Sequence, residues 1–461
     1  MFFSPFREGG LRSARCASTI FIIITADRQR GRKFMAFVKK PVTGMRDILP
    51  GEMEVRTYLM QQIREVYETY GFSQMETPVV EHIENLTSKQ GGDNEKLIFK
   101  ILKRGEKLSR EEEALKNGDM DALVDSGLRY DLTVPLCRYY SNNQNSLPQP
   151  FKALQMGPVF RADRPQRGRF RQFIQCDIDI LGEATNLGEK ELILATTEAL
   201  SRVGFDEKNL RVVINDRRIL FSMIAYAGLP EADAESILIT LDKADKIGAE
   251  GVDAELAEAG YTAEQIAKLR GLLSSVREEA SAEDVRRMGE TIGTEEAKVA
   301  CESVADIMES VQTVEGRTIH ISFLPTLVRG MGYYTGTIFE LQAGSFGSSV
   351  GGGGRYDKMV GKFIGQDVPA VGFSIGFERI MTILMEQGFT VPKQEAQTAF
   401  LVEKGMPSRR LGEIFSEAMK LRQKGSRVLV VWMAKNKKFQ KENLMKEGYT
   451  SFQEFYKEAL K

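Results

Sequence analysis

The chain has 461 residues, enough for two or three domains that each bury a hydrophobic core. Its 63 basic residues nearly cancel its 64 acidic ones, so the overall charge neither indicates nor excludes nucleic acid as a partner. No stretch of the sequence approaches the roughly 18 apolar residues of a membrane span. Four scattered cysteines without a C-x-x-C pair favour a reducing compartment, the cytoplasm. The two histidines, His82 and His320, lack metal-ligand spacing, so no metal site is predicted.

Residues 1–34 differ in character from the rest of the chain. Their apolar run, from Ile20 to Thr25, is too short for the core of a signal peptide, although their arginines allow a transit peptide. Organised sequence begins at Met35, which we interpret as the start of the native protein. Residues 1–34 are therefore expected to be a disordered or non-native extension.

The first predicted elements are a helix and a strand. Apolar residues recur at helical spacing from Pro50 to Tyr70, and Gly71 is expected to end the helix. The following segment, FSQMETPVVE, favours a strand, and Pro78 within it indicates a sheet edge or an interface because proline cannot donate to a sheet ladder. The charged residues 97–127 are expected to form a solvated hairpin or loop.

The middle and the end of the chain alternate between β-rich and helical sequence. Residues 151–181 predict two antiparallel strands around an arginine-rich turn, and residues 217–316 predict an inserted helical domain. Residues 317–393 are β-rich and end in PAVGFSIGFERIMTIL, a strand that enters a helix. Residues 394–461 predict a small α/β domain with a helix at 409–424, a buried strand RVLVVWM and a lysine-rich, helix-like tail.

Five arginines lie in the eleven residues from Arg161 to Arg171, between two strand-like runs. Alternate side chains of a strand point to one face, so a hairpin here would aim several guanidinium groups together. Guanidinium groups are always charged and bind phosphate through two hydrogen bonds, which indicates a phosphate site. A solvated basic turn is the alternative for this segment taken alone.

Two further segments carry candidate binding residues. Gln175 and Asp179 lie four apart on one strand and share a face with Asp177. A buried carboxylate on that face needs a cationic or donor ligand. Asp131 and Thr133 suit an ammonium group, although a turn or a helix cap is an equal alternative for this segment.

Six segments occur in the order of a known family. FRADRPQRGRFRQFIQCDID resembles motif 2 of the class II aminoacyl-tRNA synthetases in its histidyl form, GFSQMETPVVE with the preceding helix resembles motif 1, and PAVGFSIGFERI resembles motif 3. LRYDLTVPLCRYY, LVRGMGYYTGTIFE and SSVGGGGRYD resemble segments of the histidyl branch. The four glycines lack the spacing of a phosphate-binding loop but permit close backbone approach, consistent with a wall of the histidine pocket.

The resemblance implies an α+β fold. Its parts would be the class II synthetase antiparallel sheet flanked by helices, a helical insertion and a small C-terminal α/β domain. The catalytic core would comprise residues 35–216 and 317–393, with the insertion at 217–316 between them. Residues 394–461 would be a short anticodon-binding-like domain. The family works as a homodimer, with Pro78 of motif 1 at the interface.

The resemblance also implies a reaction. The family joins histidine to ATP, which carries Mg²⁺, and then passes the histidyl group to the 3′ end of tRNA(His), with no permanently bound cofactor. The expected histidine-binding residues are Asp131, Thr133, Gln175, Asp179, Tyr333 and Tyr334. The expected ATP-binding residues are Arg161, Asp163, Arg169, Phe173 and Arg379. Arg161 and Arg329 are the expected catalytic residues, and Gln166 and Arg167 are expected to contact the tRNA acceptor end.

Two rival functions stay open at the level of sequence. The regulatory subunit of ATP phosphoribosyltransferase resembles histidyl synthetases without their anticodon domain or charging activity, and the short C-terminal region favours it. A binding subunit does not need the phosphate-contacting arginines, however, and the sequence retains Arg161, Arg169, Arg329 and Arg379. A plain RNA-binding protein would explain the basic hairpin but not the histidine-pocket segments.

Overall fold

The computed structural model describes residues 37–87, 94–277, 279–329, 332–344, 349–392 and 397–457. The expected extension, residues 1–34, lies outside them. The chain divides into two units, residues 1–47 and 48–461. The described part of the first unit is irregular and contains a turn in which Met45 N donates to Val42 O at 2.9 Å. The helices and strands of the described residues belong to the second unit.

The second unit alternates helices and strands along the chain. The helices are α1 Pro50–Thr69, α2 Ile83–Thr87, α3 Glu106–Ser109, α4 Glu112–Asn117, α5 Thr133–Asn143, α6 Leu187–Arg202, α7 Arg217–Tyr226, α8 Ala234–Leu241, α9 Ala244–Glu258, α10 Ala263–Ser274, α11 Ala282–Ile292, α12 Glu295–Gln312, α13 Lys358–Ile364, α14 Phe377–Glu386, α15 Ser408–Gln423 and α16 Lys437–Lys446. The strands are β1 Ser73–Gln74, β2 Val80–His82, β3 Lys100–Leu102, β4 Val124–Leu128, β5 Phe151–Phe160, β6 Gln172–Leu181, β7 Leu210–Asp216, β8 His320–Phe323, β9 Thr337–Ala343, β10 Ser349–Arg355, β11 Ala370–Gly376, β12 Gln397–Val402, β13 Val428–Trp432 and β14 Tyr449–Phe455. Within the described ranges, none of these helices combines the length and the apolar character that crossing a bilayer requires.

A large sheet lies at the centre of the second unit. Within the described residues it has eight strands in the order β1-β5-β6-β11-β10-β9-β7-β8. The strands from β5 to β7 in this order pair antiparallel, whereas β1 and β8 pair parallel at the two edges. The predicted α+β fold, an antiparallel sheet flanked by helices, is confirmed, and the parallel edges are an addition to it.

Helix α1 shows how the local sequence specifies its element. Pro50 occupies the first turn, where its missing N–H has no partner to lose. Gly71 follows the last turn with a φ of 82°, a left-handed conformation that costs glycine little. The predicted helix is confirmed, and its apolar stripe is buried at Val55, Leu59, Ile63 and Val66.

The segment around Pro78 forms two short strands instead of one. β1 belongs to the large sheet and β2 to a second sheet in the order β2-β4-β3, and Pro78 lies between β1 and β2. Proline lacks the donor that a continuous strand would need, so the strand is divided there. Residues 97–127 contain β3 and β4, an antiparallel pair joined through α3 and α4, as the predicted hairpin requires.

Helices α7 to α12 occupy most of residues 217–316. Their buried apolar side chains join those of the large sheet in one continuous hydrophobic core. Three helices in this region begin at Thr or Ser caps, Thr262, Ser281 and Thr294, whose side chains accept a hydrogen bond from a backbone N–H of the first turn. The helical content is as predicted, and the domain boundaries stay predictions.

The C-terminal region forms a parallel sheet in the order β13-β12-β14, packed with α15 and α16. The predicted helix at 409–424 and the strand RVLVVWM are confirmed as α15 and β13. The predicted helix-like tail is wrong in its second half, because α16 ends at Lys446 and the chain continues as β14. Gly448, with a φ of 98°, ends the helix, and pairing with β12 then overrides the helical preference of the tail.

A buried ion pair joins α1 to the start of α14. Arg56 Nη1 and Nη2 donate to the two carboxylate oxygens of Glu378 at 2.7 and 2.6 Å, and both side chains are buried. The Arg56 guanidinium also lies 5.0 Å from the centre of the Phe377 ring. The geometry is bidentate, which fixes the orientation of α14 against α1 as well as its distance.

We expect Arg56→Ala to lower the free energy of unfolding by about 3–5 kcal/mol, because it leaves the buried Glu378 carboxylate without its cation. Chemical unfolding followed by circular dichroism measures the loss. The control is Arg427→Ala, which removes an exposed pair with Glu54 at 3.4 Å and should cost less than about 1 kcal/mol. Equal losses in the two variants would contradict the role given to the buried pair.

Candidate functional site

One cleft opens over the large sheet at β6, β9, β10 and β11 and has a volume of about 1230 Å³ including its mouth. Of the site residues predicted from the sequence, the structure brings twelve together there: Asp131, Thr133, Arg161, Asp163, Arg169, Phe173, Gln175, Asp179, Arg329, Tyr333, Tyr334 and Arg379. The remaining two, Gln166 and Arg167, lie at the tip of the β5–β6 hairpin and do not line the cleft.

The floor of the cleft is the face of β6 that carries Gln175, Asp177 and Asp179. These residues alternate with apolar ones that point to the other face, as strand geometry requires. All three side chains are buried. Their cross-strand partners on β11 are the small residues Gly376, Ser374 and Gly372, in that order, which leaves room above the acidic face.

Glycines make this floor sterically possible. A Cβ atom at Gly372 would overlap Asp179 Oδ1, and a Cβ atom at Gly353 on β10 would overlap the carbonyl oxygen of Gly372. A Cβ atom at Gly352 would likewise overlap the guanidinium of Arg329. The glycine run therefore lets β10, β11 and the cleft side chains approach more closely than any other residue would allow.

Several buried polar atoms of the cleft have no hydrogen-bond partner in the described part of the chain: Asp131 Oδ2, Gln175 Oε1, Asp179 Oδ2 and Arg329 Nε. Buried polar atoms are normally paired, so a cluster of unpaired ones in a cleft points to a polar ligand. Three of the four are acceptors, which fits a ligand with several N–H groups.

Burial changes the acidity of the cleft carboxyl groups. It raises the pKa of Asp131, and together with repulsion by Asp179 it raises the pKa of Asp177 well above the ordinary value. Burial raises the pKa of Asp179 to about 7, although a hydrogen bond from Tyr356 Oη to Asp179 Oδ1 at 2.6 Å acts in the opposite direction. A cationic ligand would favour the ionised carboxylates and so offset the free-energy cost of burying them.

Asp131 agrees with both alternatives that its sequence allowed, a helix cap and a binding site for an ammonium group. Its Oδ1 accepts from Val134 N at 3.1 Å and so caps helix α5, while Oδ2 stays buried and unpaired at the cleft. Thr133 is the first residue of α5 and lines the same wall. The helix cap therefore positions the carboxylate rather than replacing its binding role.

Aromatic rings form one wall of the cleft. Tyr333 and Tyr334 pack edge to face with ring centres 4.9 Å apart, and the ring centre of Tyr356 lies 6.1 Å from that of Tyr333. Such a wall suits a flat, partly polar ring because the tyrosines offer both apolar faces and hydroxyl groups. Tyr356 closes the wall against Asp179, to which it donates its hydrogen bond.

Arginines also line the cleft. Arg161 Nε donates to Tyr130 O at 3.0 Å, and its guanidinium lies 4.2 Å from the Tyr130 ring centre and 5.2 Å from that of Phe173. These contacts hold the terminal nitrogens of Arg161 in a fixed direction. Arg329 Nη1 donates to Glu340 at 2.5 Å, and Arg379 donates to the carbonyl oxygen of Ser349.

The hairpin tip carries the two predicted residues that lie outside the cleft. Gln166 and Arg169 exchange backbone hydrogen bonds of 3.2 and 2.9 Å, which closes the turn. Arg167 is exposed and forms an ion pair with Glu386 at the end of α14. Both side chains therefore project at the rim, where a large ligand can reach them.

Sequence reasoning placed Asp177 on the face of Gln175 and Asp179 without giving it a role, and it missed other residues that line the cleft, namely Tyr356, Ser374, Glu340 and Glu378. Tyr356 stands in the GGGGRYD segment, and its ring could have been placed in the wall of which those glycines form part. Glu340 and Glu378 carry no signal of their own, because each acts by holding an arginine: Glu340 holds Arg329, and Glu378 holds Arg56 at a position distant in sequence.

Comparison with known proteins identifies the family. A family model described as histidyl-tRNA synthetase matches residues 44–380. The histidine–tRNA ligase of Leifsonia xyli subsp. xyli is 42% identical over 425 residues, which are 91% of this chain and 95% of that protein. The chain belongs to the histidyl-tRNA synthetase family.

Further relatives agree with this assignment. The histidine–tRNA ligase of Porphyromonas gingivalis is 39% identical over 353 residues, 74% of this chain and 76% of that protein. The crystal structure of histidyl-tRNA synthetase from Nostoc sp. PCC 7120 has a TM-score of 0.72 at 27% identity and covers 90% of both chains. A Bacillus halodurans structure described as ATP phosphoribosyltransferase regulatory subunit/histidyl-tRNA synthetase has a TM-score of 0.71, with 91% of this chain and 99% of that chain covered. At 22% identity it shows the fold alone.

Asp179 gives the synthetase fold a predicted pH dependence. An unfolded aspartate has a pKa of about 3.9, so between about pH 4 and pH 7 the folded protein holds a proton that the unfolded chain has lost. The free energy of unfolding should fall as the pH rises through this window. In urea titrations we expect Asp179→Asn to raise the free energy of unfolding by on the order of 2 kcal/mol at pH values above 7 and to change it little near pH 4.

Asp306→Asn is the control with the opposite sign. Hydrogen bonds from Lys190 and Asn186 lower the pKa of Asp306, so its contribution to stability is present above the unfolded pKa and is lost as the pH falls through the folded one. This variant should be destabilised at neutral pH and indistinguishable from the native protein in acid. A stabilisation by Asp179→Asn that does not change with pH would refute the raised pKa.

Proposed function

We propose that the chain activates histidine with ATP and transfers the histidyl group to tRNA(His). The observation that carries the proposal is a single cleft in which buried, unpaired acceptors face a set of arginines. The acceptors suit the ammonium and imidazole groups of histidine, and the arginines suit the phosphates of ATP. One cleft therefore contains binding groups for both substrates.

Histidine lies over β6 in this proposal. Asp131 and Thr133 hold its ammonium group together with Gln175 Oε1. Asp179 Oδ2 accepts from an imidazole N–H, and Tyr333 and Tyr334 enclose the ring. The hydrogen bond from Tyr356 to Asp179 supports this placement, because it occupies one carboxylate oxygen and turns the unpaired one to the cleft.

ATP lies along the arginine side of the cleft. Phe173 and Arg379 sandwich the adenine by stacking and cation–π attraction, and Asp163 belongs to the same nucleotide site. Arg169 holds the outer phosphates. Mg²⁺ enters with ATP as the substrate complex, since it binds through phosphate oxygens and keeps several of its waters.

The first chemical step is an in-line displacement at phosphorus. A carboxylate oxygen of histidine forms a bond to the α-phosphorus, the bond from that phosphorus to the bridging oxygen breaks, and pyrophosphate leaves with the electron pair. Arg161 and Arg329 stabilise the charge that spreads over the α-phosphate oxygens. The Tyr130 and Glu340 contacts fix both guanidinium groups in advance, which avoids reorganisation during the reaction.

We extend the proposal to the assembly and the cellular setting. A homodimer through motif 1 is supported by exposed apolar side chains at the start of α1, Leu49 at 72% and Met53 at 42% exposure, and sedimentation of the purified protein tests it. We place the protein in the cytoplasm. Residues 35–216 and 317–393 form the catalytic core, residues 217–316 the insertion, and residues 394–461 a short anticodon-binding-like domain.

The regulatory-subunit alternative has less support. A subunit that only senses histidine needs the acceptors of the cleft, yet Arg161, Arg169, Arg329 and Arg379 line it as well. Three of these cations, Arg161, Arg329 and Arg379, are half-buried, and without substrate phosphates they would repel one another at a cost to stability. Their retention favours the enzyme.

Histidine-dependent exchange of pyrophosphate into ATP tests the function directly. We expect exchange with histidine and with none of the other amino acids, and a fall of about 10²–10³-fold in Arg329→Ala, because a fixed donor to the developing charge is lost. Arg410→Ala, which removes an exposed arginine paired with Glu413, should exchange at the native rate. Absence of exchange in the folded native protein would favour the regulatory subunit.

A second experiment tests the role of the hairpin tip. Arg167→Ala should leave pyrophosphate exchange unchanged and lower the aminoacylation of tRNA(His) by about tenfold, the effect of one lost contact between a charged group and phosphate or base. Glu386→Gln is the matched control, because it removes the ion-pair partner and keeps Arg167. Parallel losses of exchange and aminoacylation in Arg167→Ala would argue against a contact specific to tRNA.

A further inference from the structure

The side-chain amide of Gln175 is held by two neighbours that have no assigned role. Gln175 Nε2 donates to Ser374 Oγ at 2.7 Å and to both carboxylate oxygens of Asp177, at 3.3 and 3.2 Å. Ser374 and Asp177 are direct cross-strand partners on β11 and β6. The two donor hydrogens of the amide are therefore both engaged on the floor of the cleft.

This arrangement selects one of the two orientations of the amide. When Asp177 is ionised, a rotation by 180° would place Gln175 Oε1 against its carboxylate, and two acceptors would face each other in a buried site. In the observed orientation Oε1 is buried and has no partner within the described residues. The acceptor Oε1 is thus the polar atom of the amide that is left for a ligand in the cleft.

Asp177 is 3% exposed and forms no salt bridge within the described residues. A hydrogen bond with Ser374 and the charge of Arg161 act to lower its pKa, but burial and the repulsion of Asp179 outweigh them. It lies between Gln175 and Asp179 on the same strand face, with Asp179 on the imidazole side of the proposed pocket. Keeping a carboxylate buried here is costly, so its benefit has to come from what it does to its neighbours.

We propose that Asp177 and Ser374 are positioning residues that fix the Gln175 amide with Oε1 as an acceptor for the ammonium group of histidine. The inference rests on the proposed function and adds to it the means by which the pocket distinguishes ligands with a protonated amino group. An amide free to rotate would present N–H groups to the ammonium for part of the time, and like donors repel. The ligand ammonium in turn favours the ionised form of Asp177, so binding and orientation support each other.

The test compares ligands with and without the amino group of histidine. Histidinol keeps the amino group and has a hydroxymethyl group in place of the carboxylate, whereas 3-(imidazol-4-yl)propanoate keeps the carboxylate and lacks the amino group. In Asp177→Asn the new side chain can donate as well as accept, so both orientations of Gln175 become possible. We expect the KM for histidine in pyrophosphate exchange and the inhibition constant of histidinol to rise about tenfold, the effect of one hydrogen bond to a charged group. The inhibition constant of the propanoate and kcat should stay within about twofold of native values, because neither depends on this hydrogen bond.

Two further variants separate positioning from general damage. Ser374→Ala should change the same constants in the same direction, whereas Ser322→Ala, the same substitution at a buried serine of the same sheet, should leave them at native values. In the double variant Asp177→Asn/Gln175→Glu, the carboxylate presents an acceptor in either orientation, so the affinity for histidinol should recover.

The outcomes distinguish the two proposals. Equal weakening of histidinol and the propanoate, a native KM in Asp177→Asn, or no recovery in the double variant would each overturn the positioning role while native exchange persists. A native protein without histidine-dependent exchange would overturn the proposed function, and the positioning role with it.

Discussion

The buried carboxylates of the cleft need partners that the described protein does not itself supply. Asp131, Asp177 and Asp179 are each almost fully buried, and two of them keep an unpaired oxygen. Taking charge out of water is unfavourable unless it is paired, so the site is incomplete until a cationic, donor-rich ligand enters. The rest of the cleft follows from this constraint. Gly372 on β11 lies where a side chain would overlap Asp179, and the tyrosine rings pack together in the wall of the same cleft.

Rigid support comes from long-range pairs rather than from the cleft residues alone. The Arg56 and Glu378 ion pair binds the first long helix to the start of α14, and Glu378 is followed in the chain by Arg379, which lines the cleft. Ile174 N, on the floor strand, also lies 3.4 Å from the Glu378 carboxylate. A disturbance of α1 would therefore reach both the floor and Arg379 through one buried contact. If α1 lies in a dimer interface, subunit association and the geometry of the site are coupled by the same pair.

Much of this structure could be predicted from local sequence, and the failures have physical causes. The apolar stripe on α1 and the alternation of side chains between the two faces of β5 and β6 are periodic signals in the sequence, and tertiary packing agrees with them. The strand β14 was missed because its lysine-rich neighbourhood favours a helix, and only pairing with β12 decides otherwise. Most of the residues that the motifs predict for the site do line the cleft, whereas Tyr356 and Glu378 act through contacts with residues far away in sequence. Such contacts produce no periodic pattern in the sequence. The residues that support a site are therefore harder to predict from a single sequence than the helices, the strands or the motif residues.

The distribution of charge in the cleft supports the proposal that both substrates bind in it together. Burial lowers the pKa of Arg379, with Arg169 acting in the same direction, and burial raises the pKa of Asp177, to which repulsion by Asp179 contributes. Each half of the cleft is therefore strained by its own charges when it is alone. Phosphates relieve one half, and an ammonium group relieves the other. A product in which the two are joined, an amino acid linked to a nucleotide phosphate, satisfies both halves at once and holds them at a fixed separation. The same electrostatics that destabilise the folded protein without ligand thus favour the joined intermediate over either substrate alone.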